Sequence, residues 1–181
     1  SLAAPGSPER GRHPLPPPEV FAEGMASAGI GDADVVVAYD DLGGVVAARL
    51  VWMLRVTGHE AALLDGGLAV HDPQRDGPLS TGIITRPRAE FTPRPWPAEA
   101  IVELDEVLAG GLVLLDARDG ARYRGETEPV DPRPGHVPGA RSVPCRENLG
   151  PDGRLLPADQ LRARFAAVGV TDATGTVSYC G

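Results

Sequence analysis

The sequence contains two copies of one unit, offset by 140 residues. Residues 15–41 align without a gap with residues 155–181, and the aligned positions carry residues of the same kind. The identical pairs include Pro17 with Pro157, Gly29 with Gly169, Asp32 with Asp172 and Tyr39 with Tyr179. Matching turn residues, helix face and strand are better explained by duplication than by chance. The same offset places Asp40 where the second copy has Cys180.

Each copy predicts a helix followed by a short buried strand. A proline opens each helix, where its missing N–H breaks no hydrogen bond, and a glycine ends it. We expect helices from Pro18 to about Ala28 and from Pro157 to about Val168. In the first copy, a helical apolar pattern and then the run AALLDGG follow the strand. This alternation predicts an α/β fold with a mainly parallel sheet flanked by helices.

The offset also indicates the domain organisation. We predict an N-terminal domain at residues 1–76 and a C-terminal domain at residues 100–181. Residues 77–99 between them contain many prolines and show no periodicity. This composition is typical of an extended linker that runs across a domain surface.

Elements that only one copy contains predict that the sequence is a fragment. The counterpart of strand LVLLDAR, residues 112–118, would fall before Ser1. Nothing after Cys180 corresponds to the helix and strand that follow Asp40. We therefore expect the start of the first domain and the end of the second to be missing.

The composition argues against several classes of protein. A net charge of −8 without a cluster of Lys and Arg is unlike a nucleic-acid-binding protein. No apolar run reaches the roughly 20 residues of a membrane-spanning helix. Cys145 and Cys180 lie far apart and form no CxxC pair, which argues against a disulfide framework or a zinc site. We expect a cytoplasmic monomer that needs no metal or organic cofactor.

Cys180 is the main candidate for a reactive group. It follows a predicted parallel strand, and α/β folds place ligands at the carboxyl ends of such strands. A following loop that turns its N–H groups toward the sulfur would lower the thiol pKa and favour the nucleophilic thiolate. The alternative is a strand-end cysteine that packs as a small hydrophobic residue. Cys145 is assigned no role.

A cation-rich loop precedes this strand. Residues 121–140 hold Arg122, Arg133 and His136 among prolines and glycines too frequent for a helix interior. The forked guanidinium of arginine matches a carboxylate or a sulfur oxyanion, so the loop can bind an anion. Alternatively, some of these arginines pair with acidic residues of the same loop, such as Glu128.

These stretches resemble the two-domain rhodanese family, the thiosulfate and 3-mercaptopyruvate sulfurtransferases. DAR…RYRGETEPVDPRPGHVPGA, LLPADQLRARFAAVGV and VSYCG resemble its active C-terminal domain, and the first copy resembles its inactive N-terminal domain. The resemblance implies tandem rhodanese-like domains. It also implies a cysteine that accepts sulfane sulfur as a persulfide and passes it to a nucleophile.

The resemblance further implies roles for individual residues. Cys180 matches the sulfur-carrying cysteine, and Arg122 and Arg133 match arginines that bind the substrate anion. Gly181 matches the loop that follows the cysteine. His13, in HPLP, resembles a first-domain histidine that reaches the active cleft, although an exposed loop histidine is a competing interpretation.

Other positions are expected to be structural. Because a carboxylate cannot carry a persulfide, Asp40 implies a catalytically silent first domain that forms one wall of an interdomain cleft. Pro138 and Gly139 of GHVPG are expected to shape a turn, and His136 to bond to backbone rather than to substrate. Trp96 is expected to pack in a surface groove.

The resulting hypothesis is a sulfurtransferase that uses a small anionic sulfur donor and a thiol or cyanide acceptor, with thioredoxin among the candidate acceptors. The glycine after Cys180 favours 3-mercaptopyruvate over thiosulfate as donor. A non-catalytic partner-binding module and a cysteine phosphatase are the alternatives. Because the loop and helix beyond Gly181 would activate the thiol, we expect the 181 residues alone to be nearly inactive.

Overall fold

A computed structural model describes residues 2–7 and 10–180 and divides the chain into two compact units, Ser1–Ala100 and Ile101–Gly181. Each unit has a small parallel sheet accompanied by helices, so the predicted α/β fold is confirmed. Among the described residues, no helix has the length and apolar character needed to cross a membrane.

The first unit is built around two strands and two longer helices. Its elements are α1 (Pro18–Ser27), β1 (Val36–Ala38), α2 (Val45–Val56), β2 (Ala61–Leu63) and α3 (Pro73–Asp76), with 3-10 turns at Gly67–Val70 and Ala98–Ala100. The two strands pair in parallel, with Val36 opposite Ala61. The apolar faces of α1 and α2 contribute Phe21, Met53 and Leu54 to the core of this unit.

Residues 77–99, which the sequence assigns to a linker, fall within the first unit. Phe91 is buried with its ring 5.8 Å from that of Phe21. Trp96 lies 5.4 Å from the same ring, and its indole N–H donates to the carbonyl of Pro16 at 2.8 Å. Trp96 thus packs against the unit as expected, and the buried ring of Phe91 with the half-buried ring of Trp96 holds a segment that has no periodicity of its own.

The second unit carries a three-stranded sheet. Its elements are α4 (Leu104–Ala109), β3 (Val113–Asp116), α5 (Gly120–Tyr123), β4 (Arg141–Ser142), a 3-10 turn (Cys145–Asn148), α6 (Ala158–Ala167) and β5 (Thr176–Tyr179). The strand order is β4-β3-β5, and β3 is parallel to both neighbours. Asp116, the last residue of β3, lies opposite Ser142 on one side and Tyr179 on the other.

The two helices predicted from the repeat end in the same way. Gly29 follows α1 with a φ of +72°, and Gly169 follows α6 with a φ of +79°. The N–H groups beyond these glycines reach back into the last helical turn, from Ile30 to Met25 at 3.0 Å and from Val170 to Phe165 at 2.9 Å. This Schellman pattern requires a left-handed residue, which glycine supplies without a Cβ clash.

Candidate functional site

Cys180 follows β5 directly, at the carboxyl edge of the three-stranded sheet. The neighbouring chain is the continuation of β3, where the N–H of Ala117 donates to the carbonyl of Tyr179 at 3.0 Å. The thiol-bearing residue is exposed. Cys180 therefore has the predicted strand-end position and is not a packed core residue.

A buried hydrogen-bond network anchors the residue before Cys180. The carboxylate of Asp116 is fully buried, and its Oδ2 accepts from Nη2 of Arg118 at 2.6 Å. The same oxygen accepts from the hydroxyl of Tyr179 at 2.8 Å. The Tyr179 oxygen in turn accepts from the N–H of Val137 at 3.1 Å. The network ties the end of β5 to β3 and to the loop before β4.

Opposing effects act on the pKa of the buried Asp116. Its burial favours the neutral acid, but the hydrogen bonds from Arg118 and Tyr179 stabilise the carboxylate more strongly, and the pKa is lowered. Conversely, the hydrogen bond to Asp116 raises the pKa of Arg118. Both groups are thus ionised at neutral pH. The sequence did not predict this network, although the internal repeat aligns Tyr179 with the identical residue Tyr39.

Arg122, a predicted substrate-binding residue, is engaged by acidic residues of its own loop. Its Nη2 lies 2.7 Å from Glu128 and 2.9 Å from Asp131. The hydrogen bond from Arg122 lowers the pKa of Glu128 to about 2. The expectation that some arginines of this loop pair internally is confirmed, and an anion would have to compete with two carboxylates for Arg122.

Arg133 differs from Arg122 in its surroundings. Its side chain is exposed, and it makes no hydrogen bond or ion pair with residues 2–7 or 10–180. Arg124, which lies between them in sequence, pairs with Glu126 at 2.7 Å. Of these three cations, only Arg133 keeps its guanidinium fork available within the described chain.

His136 has the structural role expected for the GHVPG stretch. Its Nδ1 lies 2.7 Å from the carbonyl oxygen of Tyr123, and its ring stacks on that of Tyr123 at 3.8 Å. The following turn closes with a hydrogen bond from Ala140 to Val137 at 2.9 Å. Gly139 has a φ of +83°, which suits the turn position after Pro138.

The surroundings of Cys180 disfavour its thiolate. Although the residue is exposed, nearby protein atoms remove part of the water around the sulfur, and this desolvation raises the pKa of Cys180. The Cys145 thiol and the Asp116 carboxylate raise it further, while Arg122 and Arg118 act in the opposite direction. The described residues alone therefore do not provide the activation that we expect of a sulfur-accepting cysteine.

The described hydrogen-bond network of Asp116, Arg118 and Tyr179 includes neither of the two other predicted substrate-binding residues, His13 and Gly181. His13 belongs to the first unit, where it is exposed and its carbonyl oxygen accepts from Arg49 at 2.8 Å. Gly181 lies outside the described residues. Both assignments stay predictions. Among residues 2–7 and 10–180, no group of three or more His, Cys, Asp or Glu could hold a metal ion.

In the first unit, the position equivalent to Cys180 carries a carboxylate held by backbone. Asp40 Oδ1 accepts from the N–H groups of Leu42 and Gly44, at 2.8 and 2.7 Å. Its Oδ2 accepts from Val46 and Ala47 at the start of α2, both at 2.8 Å. Desolvation raises the pKa of Asp40, but these four N–H groups outweigh it, and the pKa is lowered.

Replacing Asp40 by alanine is expected to lower the free energy of unfolding by about 2 kcal/mol, because the N–H groups at the start of α2 lose a charged acceptor. Urea denaturation of the full-length protein measures this difference. The folded pKa is lowered, so the carboxylate stabilises the protein fully above its unfolded pKa of about 3.9. That stabilisation is lost as the pH falls through the folded pKa.

Asp41 provides the matched control for this measurement. It is exposed and adjacent, and Asp41→Ala is expected to change stability by less than about 0.5 kcal/mol. Equal stabilities of the two variants at pH 7 would show that the backbone contacts of Asp40 contribute nothing.

Comparison with known proteins relates this fold to sulfurtransferases. The structure of SseA from Escherichia coli, described as showing the "rhodanese" fold and catalytic mechanism of 3-mercaptopyruvate sulfotransferases, superposes with a TM-score of 0.80. The match has 34% sequence identity and covers 99% of this chain and 68% of that one. The chain belongs to the rhodanese family of sulfurtransferases. No protein-family model matches it.

Curated relatives agree with this assignment to the rhodanese family. A Pseudomonas aeruginosa protein named "Probable 3-mercaptopyruvate sulfurtransferase" is 40% identical over 178 residues, which cover 94% of this chain and 62% of the relative. The human 3-mercaptopyruvate sulfurtransferase is 37% identical over 177 residues, covering 93% of this chain and 59% of the human protein. The chain thus spans about three fifths of these rhodanese-family proteins.

Proposed function

We propose that the full-length protein is a sulfurtransferase that works through a persulfide on Cys180. In this reaction the Cys180 thiolate attacks the sulfur of a small anionic donor and then passes that sulfur to a thiol or to cyanide. The observation that carries the proposal is an exposed cysteine at the carboxyl edge of a parallel sheet in a rhodanese-family chain.

The proposal includes tandem rhodanese-like domains with different roles. Residues 100–181 form the catalytic domain, residues 1–76 form a silent domain, and residues 77–99 connect them. The carboxylate of Asp40 supports the silent role, because it already satisfies the backbone N–H groups after β1 and cannot form a persulfide. The residue that accepts sulfur from the donor is therefore Cys180 of the catalytic domain and not its counterpart Asp40.

Activation of the Cys180 thiol is proposed to need backbone beyond Gly181. The described surroundings raise the pKa of Cys180 by desolvation, which disfavours the nucleophilic form. In the first unit, the residues that follow the equivalent position supply four N–H groups to an anion. A similar loop after Cys180 would stabilise a thiolate or persulfide anion in the same way.

The proposed donor is 3-mercaptopyruvate rather than thiosulfate. Its planar carboxylate and adjacent keto group suit a forked guanidinium, whereas thiosulfate is a compact dianion that backbone amides and one cation can hold. Arg133 is the better placed of the two predicted arginines, because Arg122 is already paired with Glu128 and Asp131. His13 and Gly181 complete the proposed substrate contacts.

Replacing Arg133 by lysine keeps the charge and removes the fork. We expect this change to raise KM for 3-mercaptopyruvate by the equivalent of about 1–3 kcal/mol, and KM for thiosulfate much less. Steady-state kinetics of the full-length protein with each donor measure the difference. Arg124→Lys is the matched control, since Arg124 is paired with Glu126. Equal effects on both donors would reverse the donor assignment.

Release of thiocyanate from cyanide tests the sulfur-transfer proposal as a whole. Full-length protein supplied with 3-mercaptopyruvate or thiosulfate is expected to form thiocyanate catalytically and to carry one extra sulfur atom on Cys180 when cyanide is omitted. If neither donor gives thiocyanate or a modified Cys180, the protein is instead a non-catalytic module that binds a partner.

The expected cellular setting follows from the chain's chemistry. Both cysteines are free thiols, and the net charge is −8. These properties support a cytoplasmic monomer that binds no nucleic acid and no membrane, with a protein thiol such as thioredoxin as acceptor. Size-exclusion chromatography with light scattering tests the monomer.

A further inference from the structure

A second thiol lies near the sheet edge that carries Cys180. Cys145 opens the 3-10 turn after β4, and its N–H donates to the carbonyl of Ala117 at 3.0 Å. On the other side, the N–H of Ala117 donates to the carbonyl of Tyr179 at 3.0 Å. Ala117 therefore lies between the two segments that bear the cysteines. A separation of two strand spacings, about 9.5 Å, is expected between the Cα atoms of Cys145 and Cys180.

The two thiols share one electrostatic environment. The proximity of Cys145 contributes to the raised pKa of Cys180. Cys180 is exposed and Cys145 is half-buried, so neither cysteine is a fully buried core residue. Both residues lie beyond the last paired residues of their strands, Ser142 and Tyr179, where side chains are not fixed by the sheet.

We propose that Cys145 accepts sulfane sulfur from the persulfide of Cys180. This inference rests on the proposed sulfur-transfer function. The Cys145 thiolate attacks the outer sulfur of Cys180–S–SH, a new S–S bond forms at Cys145, and the bond at Cys180 breaks. Cys180 leaves as a thiolate and Cys145 becomes Cys145–S–SH. Atoms and electrons balance, so the step needs no oxidant or reductant.

The spacing of the two cysteines favours this transfer over a direct disulfide. A disulfide requires Cα atoms within about 7 Å, less than the two strand spacings that separate these residues. During the exchange three sulfur atoms lie nearly in line, and both partial S–S bonds are longer than the full bond of about 2 Å. The reach therefore grows by more than about 2 Å, from about 7 Å to the two strand spacings of about 9.5 Å. The geometry therefore suits a bridging sulfur in transit.

Transfer to Cys145 regenerates the Cys180 thiolate. Cys180 can then take sulfur from a second donor molecule before any external acceptor arrives. The full-length protein would accordingly hold two sulfane sulfur atoms on this chain, one on each cysteine. A protein with Cys180 as its sole sulfur carrier would hold one.

Peptide-resolved mass spectrometry tests the transfer. Full-length protein is incubated without acceptor in excess 3-mercaptopyruvate, and in parallel in thiosulfate, then alkylated quickly under native conditions and digested. The wild type is expected to show an increase of about 32 Da on both cysteine peptides. Cys145→Ser and Cys145→Ala should show it only on the Cys180 peptide. In Cys180→Ser, labelling of Cys145 should fall at least about tenfold.

Each other outcome has a distinct meaning. Sulfur on Cys180 but not on Cys145 in the wild type would overturn the transfer and leave the proposed sulfurtransferase function intact. Undiminished labelling of Cys145 in Cys180→Ser would show direct loading from the donor and also overturn it. Absence of sulfur from Cys180 with both donors, in the wild type and in both Cys145 variants, would refute the sulfurtransferase function itself.

Discussion

Full-length protein with serine in place of Cys180 is expected to lose at least about 10³-fold of its thiocyanate-forming rate. Serine differs from cysteine by one atom, so the end of β5 and the bonds of Tyr179 should persist. Its hydroxyl is neither ionised near neutral pH nor able to hold sulfane sulfur as a persulfide. The loss should therefore appear in kcat and should not be recovered at saturating donor.

Ser178 supplies the control for this substitution. It is an exposed residue of β5, two positions before the cysteine, and contributes nothing to the buried network of Asp116. Ser178→Ala is expected to retain the wild-type rate. Turnover by Cys180→Ser comparable with that of Ser178→Ala would show that sulfur does not pass through Cys180.

Removing the carboxylate of Asp116 is expected to lower the free energy of unfolding by about 3–5 kcal/mol, the range found when one partner of a buried ion pair is deleted. Asp116→Ala leaves the buried guanidinium of Arg118 without its main partner and the hydroxyl of Tyr179 without its acceptor. Because Tyr179 precedes Cys180, sulfur transfer should fall as well. Urea denaturation and thiocyanate formation measure the two effects.

Two comparisons separate the charge of Asp116 from its shape. Asp116→Asn keeps an acceptor for Tyr179 and removes the charge, so its loss should be smaller than that of Asp116→Ala. Asp119→Ala changes an exposed carboxylate nearby and should alter stability by less than about 0.5 kcal/mol. Equal stabilities of the Asp116→Ala and Asp119→Ala variants would contradict a stabilising role for the buried pair.

The pH dependence of the Asp116 variants follows from the direction of the pKa shift. The folded pKa of Asp116 is lowered, because the hydrogen bonds from Arg118 and Tyr179 outweigh its burial. The carboxylate therefore contributes its full stability above the unfolded pKa of about 3.9, and the contribution disappears as the pH falls through the folded value. Wild type and Asp116→Ala should accordingly converge in stability under acidic conditions.

The sequence by itself determined the elements whose signals are local. Helix ends at Gly29 and Gly169 follow from the steric freedom of glycine, and the strand before Cys180 follows from a short apolar run. Parallel pairing followed from the alternation of strands and helices. The helix ends and the strand depend on neighbours within a few positions along the chain, and the parallel pairing depends on the order of the elements, which is why these features can be predicted without coordinates.

Only the tertiary structure decided which charged and polar groups meet. Arg122 and Arg133 are equivalent as arginines of one loop, but folding gives Glu128 and Asp131 to the first and leaves the second exposed. Tyr179 reaches Asp116 from 63 positions away along the chain. Hydrogen bonds and ion pairs depend on distances of a few ångströms between side chains, and the order of residues along the chain does not fix those distances.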